Sequence, residues 1–332
     1  MENLQTAVLM MNEGCFMASV DLRHAYYSVP IKDEFRKYLK FTWKGKLYRY
    51  TCFPNGLCNC PRYFTELLKP VYAHLRGQGF LSTSFIDDCY LQGATIAECQ
   101  ENVRATVSLF ECLGFVIHKE KSVLHPCKEL KYLGFVLNSE SMTVKLTRQR
   151  IEKITESCQQ ILEKTLVVIR ELAQLIGQLV ASFPGVMWET LYYRELEKQK
   201  IQALRMNKGN FDKKTKLTEA AIKEVKWWLE NLGGAFMPIG REIVLTTDAS
   251  TSGGWGAVCN SVCTRGRWSQ EEKGKHINIL ELKAVEFGLK SFESEITGKH
   301  VKVLSDNSCT VAYIAHMGGT QSEECNSIAR NI

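Results

Sequence analysis

The stretch STSFIDDCYLQG, residues 82 to 93, sets Asp87 and Asp88 side by side in a segment otherwise suited to burial. Phe85 and Ile86 precede the two acids, and Cys89, Tyr90 and Leu91 follow them. Adjacent carboxylates among apolar residues are costly unless they are solvated, paired or bound to metal. Two readings follow. One is a surface turn that carries two aspartates, and the other is a hairpin tip that holds metal ions. The rest of the chain has to choose between them.

At 332 residues the chain exceeds the size at which one core stays single, so at least two domains are expected. A composition of 45% hydrophobic, 23% charged and 10% aromatic residues is that of an ordinary soluble globular protein. The net charge of +6 is compatible with a nucleic-acid partner without demanding one. Thirteen cysteines show no paired framework, and neither Cys58 with Cys60 nor Cys259 with Cys263 has the second half of a zinc signature. They read as reduced thiols of an intracellular protein, cytoplasmic or nuclear and not secreted. The opening MENLQTAVLMMNEG is not a signal peptide, and no run approaches bilayer length, so no membrane role is expected.

Along the chain the text changes twice. In residues 1–140, FMASVD, YLKFTW and KLYRYTCF are rich in β-branched and aromatic residues and predict strands, with a hairpin turn at Lys44-Gly45-Lys46. Phe64, Leu67, Leu68, Val71 and Leu75 recur at helical spacing, and a second helix runs towards Gly114. Residues 141–238 read as helical. Their stripes are Ile151, Ile154, Cys158 and Ile161, then Ile169, Leu172, Leu175, Ile176 and Leu179, then Ala221, Val225, Trp228 and Leu232 behind a Thr218 cap. MNKGNFDKKTKLT is the expected linker. After Pro238-Ile239-Gly240, residues 239–332 predict three strands, a helix and a further strand. The expected fold class is therefore α/β (α+β) and multidomain, with a mixed head, a helical middle and a mixed tail.

Phosphoryl transfer to a growing nucleic-acid strand uses two divalent ions about 3.5–4 Å apart, held by carboxylates on neighbouring strands. Asp21, at the end of the apolar FMASVD, supplies a partner for the tandem acids, and Tyr26 follows the tight DLRHA turn. Between the two blocks lies CFPNGLCNCPRYF, where Gly56 lets backbone come close to a ligand. The order Asp21-Leu22…Ala25-Tyr26, Pro54-Asn55-Gly56-Leu57…Pro61…Phe64 and Phe85-Ile86-Asp87-Asp88 resembles the palm of reverse transcriptases. LGFVIHKEKS and LKYLGFVLN extend the likeness.

The resemblance implies that Asp21 and Asp87 bind metal directly, with Asp88 in support. It implies that Tyr26 is the steric gate against a ribonucleotide's 2′-hydroxyl, although a core tyrosine explains the residue as well. Asn55, with Gly56, falls where the family meets the incoming nucleotide; retroviral relatives carry Gln there and many retrotransposons Phe. Phe85 replaces the commoner Tyr, which removes a hydroxyl but no metal ligand. Lys121 matches the lysine that protonates the leaving pyrophosphate, with Lys119 competing for the role. Tyr132, Leu133, Gly134 and Phe135 resemble the primer grip, and the helical middle resembles the thumb and connection.

The tail carries a second set of acids. Asp248 lies in the strand of VLTTDASTSGGWGAV, Glu281 in the first turn of a helix with Leu282, Val285, Leu289 and Phe292 on one face, and Asp306 at the end of KVLSD. Alone, these acids read as a turn residue, a helix-start acid and a helix cap. In this order they resemble the ribonuclease H fold, which cuts the RNA of an RNA–DNA hybrid with two metal ions. WSQEEKGKHINILELKA, TTDASTSGGWGA and HMGGTQS bring the whole closest to DIRS-type retrotransposon polyproteins.

The implied partners are an RNA template, a DNA primer, an RNA–DNA hybrid and deoxynucleoside triphosphates. The implied cofactors are two Mg²⁺ per site, with Mn²⁺ as the substitute ion. Relatives carry a fingers region well ahead of the first aspartate and a fourth ribonuclease H carboxylate after the third. Only twenty residues precede Asp21 and the sequence ends at Ile332, so weak or no activity is expected of the isolated chain. The alternative is a co-opted or catalytically dead relic that binds nucleic acid.

Overall fold

The computed structural model describes residues 2–187, 189–235, 242–297, 299–319 and 322–332. The expected boundary at Pro238-Ile239-Gly240 lies outside the described residues. The chain gathers into two compact units, Met1–Thr147 and Arg148–Ile332. Strands and helices are mixed in both, as the α/β expectation requires.

In the first unit, α1 (Leu4–Met10) starts at Asn3, whose side chain accepts from the Thr6 N–H at 3.2 Å. Then come β1 (Phe16–Arg23), a 3₁₀ turn at Ala25–Ser28, α2 (Asp33–Arg36) and the hairpin β2 (Lys40–Trp43) and β3 (Lys46–Arg49). Lys44 and Gly45 both have positive φ, 47° and 72°, the geometry of a two-residue hairpin turn. The chain continues through α3 (Cys60–Gly77), β4 (Leu81–Phe85), β5 (Asp88–Gly93), α4 (Ile96–Cys112), β6 (Val116–Ile117) and β7 (Val123–Cys127). It ends in a three-stranded sheet of β8 (Glu129–Tyr132), β9 (Phe135–Asn138) and β10 (Thr143–Leu146).

The main sheet runs β4-β5-β1-β6, with β7 also on β1. Phe64, Leu68, Tyr72 and Leu75 of α3 join Cys99, Val103 and Phe110 of α4 in one buried cluster with Val20, Leu22, Cys89 and Leu91. That packing fixes which residues of β1 and β5 face inward. A one-residue slip would turn them all over. The tandem acids sit where the β4–β5 hairpin turns back.

The second unit holds α5 (Arg148–Leu162), β11 (Val167–Val168), α6 (Ile169–Val180), α7 (Arg194–Met206), β12 (Lys214–Thr215) and α8 (Glu219–Asn231). The stripe residues Ile154, Cys158, Leu172, Leu175, Val225 and Trp228 are buried. The expected linker is instead tied down. Val167 and Val168 of β11 pair with Thr215 and Lys214 of β12, and the Ile169 N–H donates to the Lys213 carbonyl at 2.9 Å. Strands of two residues have no alternation to read, so the sequence pattern misses them.

The tail follows as β13 (Glu242–Ser250), β14 (Gly254–Cys259), β15 (Val262–Gly266), α9 (Ile277–Ser291), α10 (Glu293–Ile296), β16 (His300–Leu304), α11 (Ser308–Ala315) and α12 (Glu323–Asn331). Its sheet order is β15-β14-β13-β16, with β13 and β16 parallel and the other pairs antiparallel. Leu191, from the helical middle, is buried with Leu282, Tyr313, Cys325 and Ile328 of the tail. The Glu224 carboxylate on α8 accepts from the Glu195 and Leu196 N–H groups that open α7, and burial pushes its pKa up to about 7. The middle and the tail thus form one unit.

Helix α9 lies against β13 and β14 because Gly288 has no side chain. A Cβ there would stand 2.9 Å from the Ala257 Cβ and 3.3 Å from the Thr247 Cγ2. Both neighbours are short and stiff. Gly288→Val should therefore lower the unfolding free energy of this unit by about 1–3 kcal/mol, read from denaturant melts.

Candidate active sites

In the first unit the backbone register brings the acids together. Asp21 on β1 and Asp88 on β5 are direct antiparallel partners. Phe85 pairs with Asp88 across the β4–β5 hairpin, leaving Ile86 and Asp87 as its two-residue tip. The Leu22 N–H donates to the Asp87 carbonyl at 3.0 Å, tying the tip to β1. Ile86 has φ +59°, a left-handed conformation that β-branched residues rarely adopt. Strain of this kind persists only where the surroundings impose it.

Three carboxylates in this space repel one another. Burial, then the Asp21 charge, raises the Asp87 pKa. Burial, then Asp87 and Asp21, lifts Asp88 to about 6. Lys121 acts against both shifts. It is held in place through Asp21 itself: the His118 N–H donates to the Asp21 carbonyl at 2.8 Å, and the Asp21 N–H donates to Ser122 Oγ at 2.9 Å. Ser122 Oγ in turn donates to the His118 carbonyl at 2.9 Å, closing the turn that carries Lys121. Of the two candidate lysines, Lys121 is the one whose charge reaches the acids.

Tyr26 stands edge-on to Phe64 with ring centroids 5.7 Å apart, and burial followed by the Asp87 charge raises its pKa. It is thus both packed on the core and near the acids. Asn55 is exposed and its Nδ2 donates to the Tyr27 hydroxyl at 3.3 Å; Gly56 beside it has φ +93° and open space around its missing Cβ. Leu133 and Gly134, with φ +49° and +80°, make the tight turn between β8 and Phe135 on β9. The Tyr132 hydroxyl donates to the Asp88 carbonyl at 3.3 Å, so this hairpin touches the one that bears the tandem acids. Spacing gave no signal for Ser122 or for the Tyr132 hydroxyl, because both act on main-chain atoms of residues distant in sequence.

In the tail, Asp248 lies on β13, Glu281 on α9 and Asp306 just after β16. Glu281 is in the second turn of its helix rather than the first, since α9 begins at Ile277. Asp306 is not the cap of α11. That role belongs to Asn307, whose side chain accepts from the Thr310 N–H at 2.9 Å and donates to Asn278 Oδ1 at 3.0 Å. One ligand oxygen from each of the three acids lies within 4.8 Å of the others, and among the described residues no other such group does so. The head trio is spread more widely.

Both sets fit hard divalent cations. Glu281 is 4% exposed, its Oε2 is buried without a hydrogen-bond partner, and burial, then Asp248 and Asp306, raises its pKa. A buried carboxylate oxygen left unpaired beside two further acids suits an oxygen-coordinated ion. In the head, Asp21, Asp87 and Asp88 are the residues that would hold such ions.

Residues 3–137 match the family described as reverse transcriptase (RNA-dependent DNA polymerase). The matched residues lie wholly within the first unit. The chain is 28% identical over 147 residues to the Pro-Pol polyprotein of Simian foamy virus type 1, covering 43% of this chain and 12% of that protein. It is 21% identical over 316 residues to the enzymatic polyprotein of Figwort mosaic virus (strain DxS), covering 92% of this chain and 45% of that one. Among solved structures it is similar to the foamy viral protease-reverse transcriptase dRH in complex with ds DNA, with TM-score 0.59, 18% identity, and coverage of 91% of this chain and 52% of that one. The foamy viral protease-reverse transcriptase in complex with RNA/DNA hybrid gives TM-score 0.57 and 17% identity, over 99% of this chain and 44% of that one. At these identities the likeness to the solved structures is one of fold. The chain spans about half the length, or less, of the relatives it matches.

Two outcomes follow from the crowded charge. Asp88 titrates near 6 when folded and near its ordinary value of 3.8 when unfolded, so its repulsion weakens the fold as pH rises through that window. Asp88→Asn should therefore stabilise the metal-free protein at pH 8 by about 1–2 kcal/mol and give no gain at pH 4, by chemical denaturation at both pH values. Glu281→Gln should likewise raise the melting temperature of the metal-free protein at pH 8. It should also weaken Mn²⁺ binding to the tail by about tenfold or more, read by titration calorimetry.

Proposed function

We propose that the chain is the RNA-directed DNA polymerase segment of a retroelement, with a ribonuclease H-like site in its tail. The observation that carries this reading is the pairing of Asp21 with Asp88 across β1 and β5, with Asp87 at the adjoining tip. Two Mg²⁺ ions bound there would activate a primer 3′-hydroxyl and neutralise the triphosphate. Asp21 and Asp87 bind them and Asp88 supports the pair. The register of β1 and β5 fixes the spacing of the acids before any ligand arrives, which is the preorganisation that such chemistry needs. Lys121 is the proton donor to the departing pyrophosphate. Tyr26, next to Asp87 and braced by Phe64, fills the space that a 2′-hydroxyl would need. Asn55 and Gly56 border the nucleotide, while Leu133, Gly134 and Phe135 steady the primer end.

The substrates on this reading are deoxynucleoside triphosphates, an RNA template and a DNA primer. The tail acts on the RNA strand of the hybrid that synthesis leaves behind. Asp248, Glu281 and Asp306 hold its metal ions, and the unpaired Glu281 Oε2 supports that assignment. The motifs HINILELKA and TTDASTSGGWGA favour a DIRS-type element as the source. Work on such templates is intracellular. Among the described residues no helix is long and apolar enough to cross a membrane.

The test is primer extension on an RNA template with deoxynucleoside triphosphates. Extension should require Mg²⁺ or Mn²⁺ and fall by about a hundredfold or more in Asp87→Asn. Mg²⁺-independent extension, or an Asp87→Asn variant as active as the parent, would sink the reading.

A further inference from the structure

The catalytic tip is held from two sides. Its two consecutive carbonyls are each bound by a different strand: Asp87 by the Leu22 N–H of β1 at 3.0 Å, and Asp88 by the Tyr132 hydroxyl of β8 at 3.3 Å. The first is a main-chain bond within the sheet. The second is a single side-chain oxygen reaching in from another sheet.

Tyr132 is 3% exposed and its ring lies 5.7 Å from that of Tyr90. The residue is therefore locked, and its hydroxyl has little freedom to leave. Burial exerts a strong upward pull on the pKa of the phenol, so it stays a donor. Its acceptor, Asp88, pairs with Phe85 to close the hairpin. Between them lies Ile86 at φ +59°, which the surroundings must hold. Tyr132 also stands directly before the Leu133-Gly134 turn.

We propose that Tyr132 is a positioning residue, whose hydroxyl clamps the strained Phe85–Asp88 tip and so keeps the Asp87 and Asp88 carboxylates in register with Asp21. The clamp rests on the polymerase reading for its catalytic consequence but not for its structural one. It also links the β8–β9 turn to the acids. A shift of that turn reaches Asp88 through one bond.

Tyr132→Phe removes the oxygen and keeps the ring, so the core packing around Tyr90 survives. The experiment compares parent and variant by hydrogen–deuterium exchange of the peptide spanning residues 82–90, with a β13 peptide as internal reference. Primer extension is measured alongside and analysed for kcat and KM separately. Exchange of the tip should rise by about five- to tenfold while β13 is unchanged, the effect of losing one buried hydrogen bond. The kcat should fall by about tenfold with the nucleotide KM within about twofold, because geometry rather than binding is lost. Unchanged exchange at the tip overturns the clamp. Faster exchange with unchanged kcat overturns its role in positioning. If the isolated parent extends primers too weakly for kcat to be read, as its expected weak activity allows, the exchange result still decides the clamp.

Discussion

Mutual repulsion among carboxylates held closer than they would choose is the constraint on which both sites depend. In the first unit, hydrogen-bond register enforces it, since Asp21 and Asp88 are cross-strand partners and cannot separate without breaking the ladder. In the second, a strand, a helix and a strand end enforce it. Burial and neighbouring charge push up the pKa values of Asp87, Asp88 and Glu281, a state that bound cations would relieve. A protein without use for such a charge has cheaper ways to end a hairpin.

The supports are placed where that repulsion would otherwise open the structure. Behind the head site, the buried cluster of α3 and α4 fixes the faces of β1 and β5. Beside it, His118 and Ser122 grip the Asp21 main chain from both sides and present Lys121 as a counter-charge. In the tail, close contact at Gly288 sets α9 low on the sheet, which brings Glu281 towards Asp248. Asn307 orders the turn after Asp306 by capping α11. Rigidity on one side and unbalanced charge on the other is the arrangement expected of a preorganised metal-dependent site.

How much of this was legible varies by element. The α3 and α4 helices and the stripes of Ile154, Leu172 and Val225 follow from spacing alone, because burial repeats with the period of the helix. The acids Asp21, Asp87 and Asp88 stood out because charge in apolar strand text needs a reason, whereas Asp248 and Asp306 were singled out only by an order that resembles a known family. Glu281 was found but put one turn too early, as helix starts without a strong cap signal are hard to place. The β11–β12 pair was invisible, being too short for a pattern. Ser122 and the Tyr132 hydroxyl were missed as well, since each acts on a backbone atom about a hundred or about forty residues away.

The amino-acid order by itself determined which residues are candidates for chemistry, the kinds of element that bear them and the hairpin on which the tandem acids turn, since all of these depend on local composition and period. Only the tertiary structure decided that Asp21 meets Asp88 and not a neighbour, that Glu281 keeps an oxygen without a partner, that the Lys121 charge acts on the tandem acids, and that residues 148–332 form one unit. Register, burial and charge coupling are properties of groups far apart along the chain. They come into being only when the chain has closed on itself.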